Sequence, residues 1–246
     1  MKSTLATLSL LATTTLAVPS ATTFPAASGE TAFPTAHIVS GSFDGEMLRF
    51  SRDPNTCRDQ TETGEADAMF IVEPGGAISN AILSAAQAEG IHCRGACTLT
   101  NVWWEDVCED AATFKQAAAN ATSRVVGGGA RRAADKIFQF NGRGTVAVTD
   151  FYAEDYGKLV RSCGDCGANG GPRHVVVEGV VAKQGGVLCG INSNYEDTCT
   201  ITGSCQNSGK SCDRYTGVEK GDGNSVKIGS GPDNYSCSVD GFTRTC

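Results

Sequence analysis

Six short segments of this chain obey one rule: an apolar residue, a spacer, then Asn, Asp or Gly. They are Ile78-Ser-Asn80, Leu99-Thr-Asn101, Val125-Val-Gly127, Val148-Thr-Asp150, Val177-Glu-Gly179 and Ile201-Thr-Gly203. Their last positions advance by 21, 26, 23, 29 and 24 residues. A second series falls between them: Gly90-Ile-His-Cys, Asp110-Ala-Ala-Thr-Phe, Asp135-Lys-Ile-Phe-Gln, Gly157-Lys-Leu-Val-Arg and Gly186-Val-Leu-Cys-Gly. Two strand series that alternate over an irregular period of roughly 20 to 30 residues predict an all-β fold, a right-handed single-stranded parallel β-helix. Asn and Gly suit its corners because they tolerate left-handed backbone angles. An antiparallel sandwich also uses short strands, but it has no reason to hold two series in phase through five periods.

The rest of the chain divides around that repeat. Residues 1–20 read as a secretory signal, with Lys2 at the start, a short apolar run from Leu5 to Ala17 and small residues around the cleavage zone. That run is too short for a membrane span and no later stretch supplies one, so a secreted, extracellular protein with no membrane association is expected. Residues 21–36 read as an extended leader, with ordered structure beginning near His37. Residues 37–203 form the predicted β-helix, and residues 204–246, rich in Gly, Ser and Cys, read as a disulfide-tied cap of the same domain. Twelve cysteines, an even number, fit an oxidising compartment. Cys163-x-x-Cys166 is read there as a plain disulfide, and the sequons at Asn120 and Asn234 are compatible with glycosylation on that route. A net charge of −7 argues against nucleic acid as a partner. A monomer is expected.

The segment Asn101-Val-Trp-Trp-Glu-Asp-Val-Cys-Glu-Asp-Ala-Ala-Thr-Phe-Lys115 begins as a strand and then places Glu105, Asp106, Glu109 and Asp110 within six residues. Like charges this close repel unless a cation holds them, and oxygen ligands without histidine suit Ca2+. In a parallel β-helix, equivalent positions of successive coils lie about 4.8 Å apart. Glu89 then falls beside Glu109 and Asp110, and one or two coils along come Lys136, Lys158 and Arg161, with Arg131 and Arg132 just before Lys136. An acidic patch running into a basic patch fits an acidic polysaccharide. Calcium would ligate a uronate carboxylate and acidify the adjacent C5 proton; a Lys or Arg would take that proton, and the glycosidic oxygen would leave from C4, a β-elimination. A second ammonium about 4.8 Å away costs roughly 3 kcal/mol at an effective dielectric of about 20, which would lower the pKa of one lysine. An alkaline-shifted optimum is therefore expected. Lys158 and Arg161, three apart, would face opposite ways on a straight strand, so a bend between them is required.

Taken together, Gly90-Ile-His-Cys, Asn101-Val-Trp-Trp-Glu-Asp-Val-Cys-Glu-Asp-Ala, Gly127-Gly-Gly-Ala-Arg, Ala134-Asp-Lys-Ile-Phe-Gln, Phe151 with Gly157-Lys-Leu-Val-Arg161, and Gly190-Ile-Asn-Ser-Asn-Tyr195 resemble the family 3 polysaccharide lyases, secreted pectate lyases of the fungal type. The resemblance runs from about Ser42 to Tyr195. It implies a parallel β-helix, Ca2+ dependence and β-elimination on polygalacturonate that yields unsaturated oligogalacturonides. By position it makes Glu89, Glu109 and Asp110 primary calcium ligands and Asp106 a further contributor. Lys136, Lys158 and Arg161 become the catalytic and substrate-binding cations, with Lys136 the favoured base and Arg161 the alternative. Lys115 and Arg132 are candidates for substrate contact. His92 reads as a packed or surface histidine. One of Trp103 and Trp104 is expected to pack inward, the other to line a sugar subsite or cover the coil exterior. A polygalacturonase-type hydrolase would need paired acids without calcium, and the Asn-Thr-Asp, Gly-His-Gly and Arg-Ile-Lys clusters expected there are absent. A non-catalytic pectin-binding protein on the same scaffold is the other alternative.

Overall fold

The computed structural model describes residues 21–246; the expected signal, residues 1–20, lies outside them. Among the described residues, twenty strands and two short 3-10 turns build a right-handed parallel β-helix. Three parallel ladders run along it. The first stacks Ala77–Leu83, Thr98–Trp104, Thr122–Val126, Gly144–Thr149, Arg173–Glu178 and Thr198–Thr202. Each coil then turns a corner into the second ladder, which pairs Trp103 with Gly129, Gly129 with Tyr152 and Tyr152 with Val181. The third ladder joins Ala68–Val72, Glu89–Cys93, Asp110–Phe114, the ends of Gly129–Phe140 and Tyr152–Ser162, and Val187–Asn192.

The repeat seen in the sequence is the register of the first ladder. Ile78, Leu99, Val125, Val148, Val177 and Ile201 are partners in succession, all at most 1% exposed. A buried aliphatic side chain contributes about 1.5–3 kcal/mol, so this column sets the phase of the coils. Two residues after each, Asn80, Asn101, Gly127, Asp150, Gly179 and Gly203 all take positive φ, between 52° and 64°. The Asn corners also bond to each other: Asn101 Nδ2 donates to Asn80 Oδ1 at 2.8 Å, and Asn80 Nδ2 to Asp44 Oδ1 at 3.1 Å. Gly179 has a second reason to be glycine, since a Cβ there would lie 2.5 Å from Asp150 Oδ1.

Both ends differ from expectation. The stretch 21–36 is not a bare leader: Glu30–Phe33 pairs in parallel with Arg49–Arg52. Phe33, Phe43, Phe50 and Phe70 close the first coil with ring centroids 5.1–6.3 Å apart. Four aromatic residues spread over 38 positions have no shared period, which is why the sequence pattern hides this plug. At the other end the β-helix continues past residue 203. Cys205–Gln206, Cys212–Thr216 and Cys237–Asp240 each add a rung to one ladder. Val226–Ser230 then runs antiparallel to Cys212–Thr216. All twelve cysteines are paired, and Cys205–Cys246 and Cys212–Cys237 tie this last coil.

Trp104 points into the core beside Phe138 and Phe151. Trp103 covers the coil exterior, under Phe24 and with Tyr152 and Ile82.

Candidate active site

The third ladder carries the chemistry, and its strands share a bend. Ile137 and Phe138, Leu159 and Val160, and Leu188 and Cys189 are consecutive pairs whose members both belong to the interior core. On a straight strand neighbours face opposite sides, so the chain turns between them. The residues flanking each pair, three apart, then project to one face. Lys136 with Gln139 and Lys158 with Arg161 do so and line one pocket. The bend that Lys158 and Arg161 required is thus built into every coil here.

Register aligns the charges. Glu89 is the partner of Asp110, and Lys136 of Lys158. Phe138 pairs with Ala112, which places Lys136 on Asp110 by the same offset. The column therefore runs Glu89, Asp110, Lys136, Lys158, Val187. Glu109 stands one residue before that column rather than on it, yet its carboxylate joins the group: Lys136 Nζ lies 2.8 Å from Glu109 Oε1 and 3.3 Å from Asp110 Oδ1. Asp135 bridges the two lysines, 3.3 Å from Lys136 Nζ and 2.7 Å from Lys158 Nζ.

These carboxylates reverse one expectation. An ammonium one rung away lowers the pKa of its neighbour, but a carboxylate at 2.8 Å acts about twice as strongly in the opposite sense. Lys136 has three carboxylates within 3.3 Å. Burial pulls its pKa down, but Asp110, Glu109 and Asp135 outweigh burial and hold it well above the ordinary lysine value. Burial pushes the carboxyl of Asp110 well up, with Glu109 adding to the rise against the pull of Lys136. Burial also raises Glu89, but hydrogen bonds from His92 and Thr63 win and leave it below its usual range. Arg161 lies in the opposite setting. Its guanidinium donates to Gly190 O, Asn192 Oδ1 and Ser225 Oγ and sits 4.1 Å from the Tyr215 ring centroid. With no carboxylate bonded to it, burial lowers its pKa.

The loop carrying Glu62, which no sequence pattern marks, completes the acidic group. Disulfide Cys57–Cys108 and the bond from Thr63 Oγ1 to Glu89 Oε1 at 3.1 Å hold this loop over the site. Glu62, Glu89 and Glu109 each present an oxygen within 4.8 Å of the others. Oxygens about 2.4 Å from one Ca2+ lie at most about 4.8 Å apart, so the spacing fits. Glu109 Oε2 is buried with no hydrogen-bond partner, the state of a ligand oxygen turned toward a cation. His92 Nε2, 3.0 Å from Glu89 Oε2, fixes that carboxylate. His92 is thus a support for Glu89 rather than an idle packed histidine. An all-oxygen donor set suits a hard divalent cation such as Ca2+.

Three other expected site residues lie apart from this group. Asp106 Oδ2 is held by Arg132 Nη1 at 3.1 Å, so the two neutralise each other at the surface. Arg132 lines a separate pocket with Glu154 and Asp155. Lys115 Nζ lies 3.8 Å from Glu65 Oε2, beside the Arg94–Glu65 pair. The C-terminal stretch, expected to be only a cap, contributes Tyr215 and Ser225 to the setting of Arg161.

Known proteins resemble this chain over most of its length. Residues 21–222 match the pectate lyase family. Probable pectate lyase E of Neosartorya fischeri is 44% identical over 210 residues, covering 85% of this chain and 82% of that protein. Pectate lyase H of Emericella nidulans is 45% identical over 214 residues, covering 86% and 81%. The catalytic domain of pectate lyase PelI from Erwinia chrysanthemi superposes with a TM-score of 0.68 at 30% identity, over 88% of this chain and 97% of that one. The same enzyme, solved in complex with tetragalacturonic acid, gives 0.65 at 34% identity, over 83% and 69%. A β-helix bearing this column of carboxylates and cations, matched over most of its length, belongs to the pectate lyase family of polysaccharide-cleaving lyases.

Proposed function

We propose that this protein is a secreted, calcium-dependent pectate lyase that cleaves polygalacturonate by β-elimination and releases 4,5-unsaturated oligogalacturonides. The single observation that carries the reading is the face on which the carboxylates of Glu62, Glu89, Glu109 and Asp110 abut the cations Lys136, Lys158 and Arg161. Glu89, Glu109 and Asp110, with Glu62, would hold Ca2+, whose Lewis acidity would acidify the C5 proton of a bound uronate. Lys158 and Arg161 face the same pocket and would bind substrate carboxylates.

Lys136 is the proposed base. Glu109 and Asp110 hold its ammonium; a divalent cation bound by the same carboxylates would loosen that hold and favour the neutral amine that takes the C5 proton. Arg161 is the alternative base, since burial pulls its pKa below the ordinary arginine value. Secretion is supported by the complete pairing of the cysteines and by the apolar run of residues 5–17, which lies outside the described structure. Among the described residues no helix is long and apolar enough to cross a membrane.

The test is ultraviolet absorbance of unsaturated ends as the purified protein acts on polygalacturonate with calcium and then with excess chelator. A rise that the chelator abolishes is expected. Reducing sugar without absorbance would mean hydrolysis, and tight polymer binding with neither signal would mean a binding protein.

A further inference from the structure

The cation column does not end at Lys158. The strand after Val187–Asn192 in this ladder is Cys212–Thr216, and Lys210 lies two residues before it, on the coil that follows Val187. Lys210 therefore stands two rungs beyond Lys158, about 10 Å along the groove. Lys158, Lys210 and Lys227 line one cavity of about 680 Å³, with Tyr215, Val187 and Asp213. A volume of this size lies within the range of ligand sites. Its floor is bare because Gly186 admits no side chain: a Cβ there would lie 1.8 Å from Gly157 O. The far wall is the antiparallel pair Cys212–Thr216 and Val226–Ser230. Of the charges facing the cavity, three are cationic and only Asp213 is anionic, bonded to Lys227 at 2.7 Å and to Ser230 Oγ at 2.8 Å. Lys210 has only a backbone oxygen, Gly185 O at 3.5 Å. On a chain of net charge −7, this is a local positive field. The two hollows adjoin: Lys158 lines both, and Tyr215 of this cavity stacks on Arg161 of the candidate active site.

We propose that this cavity is an extended subsite for further uronate residues of the polymer, with Lys210 and Lys227 binding their carboxylates and the C-terminal hairpin acting as a chain-length determinant. The proposal rests on the polygalacturonate reading above. An acidic polymer carries one carboxylate per sugar, so a chain seated on Lys136 and Lys158 and running along the column presents its next carboxylates to Lys210 and Lys227. A trimer bound at the cleavage site ends before them.

The experiment compares the double variant Lys210→Ala/Lys227→Ala with wild type on hexagalacturonate and trigalacturonate. Removing two surface cations is expected to raise KM for the hexamer about five- to tenfold with kcat within about twofold, and to leave the trimer unchanged. Restoration by Lys210→Arg/Lys227→Arg is expected, while Lys183→Ala, on another face, controls for net charge. Equal KM values for the hexamer in variant and wild type, or equal losses on both substrates, would overturn the proposal. If the wild type forms no unsaturated ends, the lyase reading fails separately. Retardation in native gels containing polygalacturonate, each protein scaled to its mobility without polymer, then still reads the cavity. Reduced retardation of the double variant supports it and unchanged retardation overturns it.

Discussion

At the scale of single residues, the site works by opposing two environments across one rung. Lys136 is surrounded by carboxylates and Arg161 by neutral acceptors, so removing either has a distinct signature. Lys136→Ala is expected to lower kcat about 10²–10⁴-fold, the usual contribution of a positioned base, with little change in KM. Lys158→Ala is expected to act mainly on KM. A base with a lysine pKa also predicts a rate that climbs into the alkaline range; a profile peaking near pH 5 would reject Lys136. Glu62→Gln tests the residue that the sequence did not offer: calorimetric titration of the variant with Ca2+ should show weaker binding than wild type, independent of catalysis. Most of the site was legible in the sequence because Glu89, Asp110, Lys136 and Lys158 sit on repeating strands, where spacing translates into register. Glu62 was not, since it comes from a loop between coils whose position is fixed by the Cys57–Cys108 disulfide. Asp106 lies apart from the cluster for the complementary reason. It is close to Glu109 in sequence, but the chain turns between them and Asp106 meets Arg132 instead.

At the scale of the element, the corners are where the fold was most readable and are where it should be most sensitive. Asn101 holds φ at 53°, accepts from Trp103 Nε1 at 2.8 Å and donates to Asn80. Asn101→Ala keeps the strained angle and removes these bonds and the contact to Met47 Sδ, a cost of about 2–4 kcal/mol that denaturant unfolding would measure. The tail was less readable because its rungs are short and its geometry is set by disulfides and a capped turn. Asp233 makes that turn: its Oδ1 accepts from the backbone N–H groups of Tyr235, Ser236 and Cys237, and its Oδ2 pairs with Arg214 at 2.8 Å. Burial pushes the Asp233 carboxyl up, but these partners outweigh it and leave it below the usual value. A carboxyl whose folded pKa is depressed stabilises the fold above its unfolded pKa, and that stabilisation is lost as pH falls through the folded value. Between pH ~4 and lower values, unfolding midpoints should therefore fall more steeply for wild type than for Asp233→Asn. Parallel slopes would show that the turn does not depend on this charge.

At the scale of the whole molecule, a solenoid holds together by contacts between neighbouring coils, so its weakest junction limits the stack. The ends are secured, by the Phe33–Phe43–Phe50–Phe70 plug on one side and by Cys205–Cys246 and Cys212–Cys237 on the other. The middle carries the opposite: buried like charges on adjacent coils, Glu89 over Asp110 with Glu109 beside them and Glu62 above. Burial pushes the carboxyls of Asp110 and Glu62 up, and the neighbouring charge of Glu109 adds to the rise. A cation that binds these carboxylates in the folded state alone must stabilise the whole stack by mass action. At a hundredfold excess over its Kd the gain is about 2.7 kcal/mol, which for a domain of this size raises the melting temperature by roughly 5–10 °C. Scanning calorimetry with millimolar CaCl2 against chelator should show that rise in wild type and lose it in Glu89→Gln/Glu109→Gln. The comparison separates a site cation from general ionic screening, because screening would raise both proteins alike. A wild-type melting temperature that does not respond to calcium would mean that Lys136 alone neutralises the cage, and the coupling proposed between the metal and the base would have to be abandoned.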